Sequence, residues 1–161
     1  MIIPDNVNIE FKASNIINKK DFILKGFLIS LFPLIFMCAC YLFLKKFMGP
    51  VFYFIIVFIF YIVISFMTCN KLFKEYKKYF SGDELALSNN TLYYNICMNK
   101  AGVYTFLDSS VLLKDVNNVL IKKGIGPDRL YVFLKDETYL TFHCLKDIEI
   151  VKKNIENKLN K

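Results

Sequence analysis

The chain has 161 residues, 55% of them hydrophobic, 17% aromatic and 22% charged, with a formal net charge of +7 and no Trp. That length holds one modest domain plus an appendage, and the apolar excess excludes disordered, collagenous and disulfide-framework classes. Mean hydropathy is positive, so the distribution of the apolar residues decides the class.

Residues 1–25 read as a cytoplasmic N-terminal arm. Within it, Val7-Asn8-Ile9-Glu10-Phe11 alternates apolar and polar side chains, the pattern of a strand. Such a stretch either pairs with a later domain or stays free as a partner-binding arm.

Two uncharged blocks follow, Gly26–Leu44 and Pro50–Asn70, of 19 and 21 residues. Each approaches the roughly 20 residues needed to cross a bilayer core. The first holds eleven Leu, Ile or Phe residues, and Val51–Cys69 holds thirteen Val, Ile or Phe. The second block gains on the order of 5 kcal/mol on insertion. Two buried helices of a soluble core are the alternative, but a soluble helix needs a polar face and neither block has one. Residues 26–70 are therefore expected to form a transmembrane hairpin, spans 26–44 and 50–70, turning through Lys45–Gly49. Pro33 removes one backbone hydrogen bond inside the first span and predicts a packing kink.

Lysines flank the spans asymmetrically. Lys12, Lys19, Lys20 and Lys25 precede them and Lys71, Lys74, Lys77 and Lys78 follow, whereas the connecting loop carries only Lys45 and Lys46. Eight charges against two place both termini in the cytoplasm of a two-pass inner-membrane protein. Lys19, Lys20, Lys25, Lys45, Lys46, Lys71, Lys74, Lys77 and Lys78 are the expected membrane-interface residues, facing anionic headgroups. Because the positive excess lies beside the spans while residues 81–145 carry −1, nucleic acid is not an expected partner.

Leu72, Phe73, Tyr76, Tyr79 and Phe80 recur at helical spacing, so residues 71–81 are expected to extend the second span, with Ser81-Gly82 as its stop. The period then falls to two. Leu85 to Leu87, Leu92 to Ile96, Val103 to Leu107, Val119 to Ile121, Leu130 to Leu134 and Thr138 to Phe142 read as strands. Turns are expected at Asn89-Asn90, Lys100-Ala101-Gly102, Gly124 to Pro127 and Lys135-Asp136-Glu137. Leu145, Ile148, Val151, Ile155 and Leu159 form one apolar stripe of a final helix from about Leu145 to Asn160, with Glu149 and Lys153 as an i,i+4 pair. Residues 82–161 thus form a small α+β domain: a curved sheet or partly open barrel of about six antiparallel strands, capped by a helix.

Chemistry-bearing patterns are sparse. No P-loop, GxGxxG, HExxH or GxSxG occurs, and the single His143 excludes most acid–base triads. His143-Cys144 is a weak metal pair, since strand neighbours face opposite ways. Cys38, Cys40 and Cys69 lie in the spans, and Cys97 and Cys144 in a cytoplasmic region that disfavours disulfides. Asp108-Ser109-Ser110 reads as a polar strand connection and Asp136-Glu137 as solvated turn acids. Lys122-Lys123 with Arg129 would suit a phosphate, but Asp128 is adjacent and strand alternation would separate the lysines. No enzymatic activity, cofactor, metal or small-molecule substrate is expected.

A membrane hairpin, about six strands and a C-terminal helix, with Leu113-Lys114-Asp115-Val116-Asn117-Asn118-Val119 entering the middle strands, resembles the bacterial PH-like domain proteins. Leu130 to Asp136 followed by Tyr139 to Phe142 is similar to the last hairpin of that family. The resemblance implies a non-catalytic interaction module at the inner leaflet with a protein partner. It does not imply inositol-lipid recognition, because the first hairpin turn, Asn89-Asn90, lacks basic residues. Two other expectations fit the same features: an immunity protein against a membrane-acting toxin, and a small subunit of a secretion or efflux assembly. For the latter, Gly26, Ser30 and the cysteines are candidate oligomer contacts.

Overall fold

The computed structural model describes residues 1, 3–44, 49–80, 82–100 and 103–160, with the backbone alone at 41–44 and 99–100. They form two compact units, one of residues 18–75 and one of residues 1–17 together with 76–161.

The first unit contains a short 3-10 turn (Lys19–Phe22), α1 (Ile23–Ile29), α2 (Leu31–Leu44) and most of α3 (Pro50–Phe80). Two segments, Lys19–Cys40 and Pro50–Phe80, are long and apolar enough to cross a membrane, and only 17% of each apolar window is buried in the chain. Phe32 and Phe36 on α2, and Phe58 and Met67 on α3, expose more than half of their surface, which is not the behaviour of helices in a soluble core. The first span breaks between Ile29 and Leu31. Pro33 explains the position: its ring clashes with the carbonyl four residues earlier, that of Ile29.

Small residues line the contact between these helices. A side chain at Gly26 would place its Cβ 2.9 Å from Cys69 Cβ and 3.0 Å from Cys69 N. Ser30 and Ser65 are also buried, and each hydroxyl donates to a carbonyl of its own helix, Gly26 and Tyr61 respectively. In a bilayer, where lipid tails leave no hydrophobic force between helices, close backbone approach of this kind would supply the packing energy. Tyr53 and Tyr61 donate from α3 to the carbonyls of Met37 and Phe27, satisfying partly buried hydroxyls across the pair. Gly26, Ser30 and Cys69 are thus committed within the hairpin instead of facing a second copy. Gly26→Leu should cost about 1–3 kcal/mol by forcing the helices apart, with Gly26→Ala changing in the same direction by less. Helix unfolding in an SDS titration measures this, and unchanged midpoints would contradict the packing.

The second unit is antiparallel. Its four-stranded sheet runs β1 (Phe11–Ser14), β2 (Glu84–Leu87), β3 (Thr91–Lys100) and β4 (Val103–Leu112); its three-stranded sheet runs β5 (Val116–Lys122), β6 (Arg129–Leu134) and β7 (Tyr139–His143). The sequence predicts a curved sheet or partly open barrel of about six strands; the described residues form seven strands in a four-plus-three arrangement. The additional strand is β1, which precedes the membrane-type helices in the chain yet pairs with β2 after them: Ala13 opposes Leu85 and Phe11 opposes Leu87. Of the alternating stretch Val7 to Phe11, Phe11 opens β1 and Glu10 N donates to Leu87 O, while Val7 to Ile9 lie before the strand. Beyond β1, Ile16 N donates to Cys144 O, Lys146 N donates to Ser14 O, and Asn15 bridges to Leu145, so β1 joins the two sheets. Leu145 therefore belongs to this corner and not to the last helix, α4, which spans Ile148–Leu159.

Leu85, Leu87, Leu92, Ile96, Val119, Leu130, Val132 and Phe142 fill the core between the sheets, and α4 closes it with Val151 and Ile155, both fully buried. Asp108-Ser109-Ser110 is not a connection; it lies within β4, where Asp108 meets the N-terminal ammonium at 3.1 Å. Glu149 pairs with Lys123 at 2.7 Å instead of Lys153. In the β6–β7 hairpin, Asp136 accepts from Thr138 N and Oγ1, and these bonds hold its carboxyl below the usual range. Glu137 takes the left-handed position of the turn at φ 67°. This acidic pair serves the turn.

Candidate functional site

Two features concentrate polar and aromatic groups in the second unit. The first is a buried clasp. Asp83, just before β2, is fully buried. One carboxylate oxygen accepts from Cys97 N at 2.9 Å; the other accepts from His143 N at 2.9 Å and lies 3.0 Å from His143 Nδ1. A carboxylate only accepts, so the Nδ1 proton is assigned to this contact. Asp83 thereby ties β3 of one sheet to β7 of the other. The His143 ring is held against Phe80, centroids 4.0 Å apart, and Tyr76 meets it edge-on at 6.2 Å. Burial, followed by the nearby Asp83 charge, raises the Cys97 thiol above its usual range, which suppresses thiolate and makes Cys97 a packing residue.

The second feature is an open cleft of about 750 Å³ beside this clasp, lined by the last turns of α3, the far end of the β3–β4 hairpin and the outer face of β6 and β7. The register explains which side chains reach it. Leu130 and Val132 point to the core, so Arg129, Tyr131 and Phe133 face outward, opposite His143, Thr141 and Tyr139 on β7; of these all but Phe133 line the cleft. Arg129 Nη2 donates to Tyr76 Oη at 3.0 Å. Burial works against the Arg129 charge, but the oxygens of Tyr76 and Tyr131 outweigh it and hold the guanidinium above its usual pKa. Tyr104, on another wall, is stacked on Tyr79 with ring centroids 3.6 Å apart. The cleft thus combines aromatic surface, hydroxyl groups and one half-buried cation.

The expected membrane-interface lysines occupy separate places. Lys19 and Lys20 are exposed in the 3-10 turn, Lys25 is half-buried on α1, and Lys71, Lys74, Lys77 and Lys78 are exposed along the last turns of α3. Lys45 and Lys46 lie outside the described residues, as do Ser81 of the helix stop and Ala101-Gly102 of the third turn. Phe80 O, at the end of α3, accepts from Asn15 Nδ2, so the N-terminal segment caps this helix.

Sequence reasoning singled out Arg129 and His143 but missed Asp83 and the tyrosines around them. The available signal was the lone Asp between a helix stop and an apolar strand, a position that solvent alone would not require. Among the described residues no group of three or more His, Cys, Asp or Glu side chains converges as a metal site would need. No protein-family model, curated protein or solved structure matches this chain.

Proposed function

We propose that the chain is a non-catalytic, two-pass inner-membrane protein that presents a PH-like interaction module at the cytoplasmic face, with both termini in the cytoplasm. The observation that carries this reading is the pairing of β1 with β2. These strands flank the two long apolar helices, so a hairpin crossing the bilayer must return both flanks to one side before the sheet can form. The lysine asymmetry makes that side cytoplasmic. Four strands plus three with a closing C-terminal helix support the PH-like reading, and a partner is accommodated at β4. That strand has no strand partner on its outer edge among the described residues, and it exposes Val103 and Phe106, each at 63%. Exposed edges of this kind recruit partner strands through backbone hydrogen bonds.

Reporter fusions test the arrangement. Green fluorescent protein at either end of the full chain should fluoresce, and alkaline phosphatase at either end should be inactive. Active phosphatase at one end only would overturn the shared-side pairing, and activity at both ends would reverse the orientation.

A further inference from the structure

Lys122 on β5 and Arg129 on β6 stand directly opposite in the sheet register, and Arg129 in turn opposes His143 on β7. Directly opposed residues share a face with Cβ atoms about 5 Å apart, and like charges placed so are destabilising. Neither Lys122 nor Arg129 has a carboxylate within ion-pair distance among the described residues, whereas the next lysine, Lys123, is taken by Glu149. Strand alternation separates the two lysines, as the sequence predicts, but it places Lys122 beside Arg129. A bound anion would turn this repulsive pair into an attractive site, and a guanidinium suits a phosphate because its donors form a planar fork.

We propose that Lys122 and Arg129, with the aromatic cleft beside them, bind the singly charged phosphate of a phosphodiester. Arg129 and Glu137 both line the cleft, and with Lys122 opposite Arg129 two cations against that one acid match one negative charge better than a polyphosphate. Tyr131, Phe133 and Tyr139 form a contiguous aromatic wall, with centroids 5.7–6.2 Å apart, suited to the apolar or glycerol part of such a molecule. A phospholipid headgroup is one source. Asn70 closes the apolar run, and Tyr76, which Arg129 contacts, follows six residues later in α3, about 9 Å along the helix axis. The headgroup layer is on the order of 5–8 Å thick, which sets Tyr76 at about its outer margin. A soluble phosphodiester is the other source. The lipid assignment rests on the membrane reading above; the phosphate chemistry does not.

The test uses the full-length protein in mild detergent. Native mass spectrometry would count retained phosphatidylglycerol against phosphatidylcholine, and phosphorus NMR line broadening would report binding of soluble glycerophosphoglycerol. The wild type should retain phosphatidylglycerol at least tenfold better than Arg129→Gln or Lys122→Gln. Arg129→Lys should be intermediate, which separates lost recognition from lost folding, and Lys153→Gln, on the exposed face of α4, should match the wild type. Broadening of the soluble ester without lipid retention, again dependent on Arg129, supports the site with a soluble ligand. Equal phosphatidylglycerol retention by wild type and Arg129→Gln, or no binding of either probe, overturns the proposal. Release of the protein from membranes by alkaline carbonate would instead defeat the anchor reading, leaving the soluble-ester result to judge the site.

Discussion

Asp83→Ala is expected to destabilise the sheet unit by about 4 kcal/mol. The substitution removes two acceptor oxygens and leaves three buried donors, Cys97 N, His143 N and His143 Nδ1, without their partner. An unsatisfied buried donor costs about 1–3 kcal/mol, and breaking a buried pair from one side costs about 3–5 kcal/mol. Asp83→Asn should fall between Ala and wild type: its single carbonyl oxygen satisfies one donor while its NH2 opposes another. Against a total stability of about 5–15 kcal/mol, the Ala variant should unfold at a much lower urea concentration, read by far-UV circular dichroism in mild detergent. A loss below about 1 kcal/mol would show that the clasp does not hold the sheets together.

Ala13→Asp is expected to be as damaging, although it lies before the hairpin in the N-terminal segment. Ala13 is 4% exposed and faces Leu85 in the core, while its neighbour Lys12 is exposed. A carboxylate at position 13 has no partner there, and burying it or expelling the strand should cost about 4 kcal/mol. Expulsion would also break Asn15 N to Asp83 O, Ile16 N to Cys144 O and Lys146 N to Ser14 O, each worth about 1 kcal/mol. Lys12→Asp, one residue away on the opposite face, should change stability by about 0.5 kcal/mol or less. The same urea titration compares them. If both variants match the wild type, β1 is dispensable; if Lys12→Asp is the damaging one, the register is shifted by one residue.

The pairing of β1 also has a consequence for folding. Its partner lies 70 to 76 residues away, beyond both apolar segments, so the sheet cannot complete before the hairpin has been made. Long-range pairing of this kind closes a large loop before any contact compensates the lost chain entropy.

Periodicity by itself determined a good part of this molecule. Uninterrupted apolar runs marked the two long helices, because no polar face was left for a soluble core to solvate. Alternation marked β2 to β7 and the closing helix, because a strand or helix facing a core must repeat its apolar residues at its own period. Those signals are local and are written into neighbouring residues. What only the tertiary structure decided were the non-local choices: that residues 11–14 complete a sheet begun after the hairpin, that Asp83 reaches two other strands, and that Arg129 stands between Lys122 and His143. Each depends on which strand lies beside which and in what register. Register is set by summed core packing and hydrogen bonding across the whole unit, and no short window of residues carries that sum.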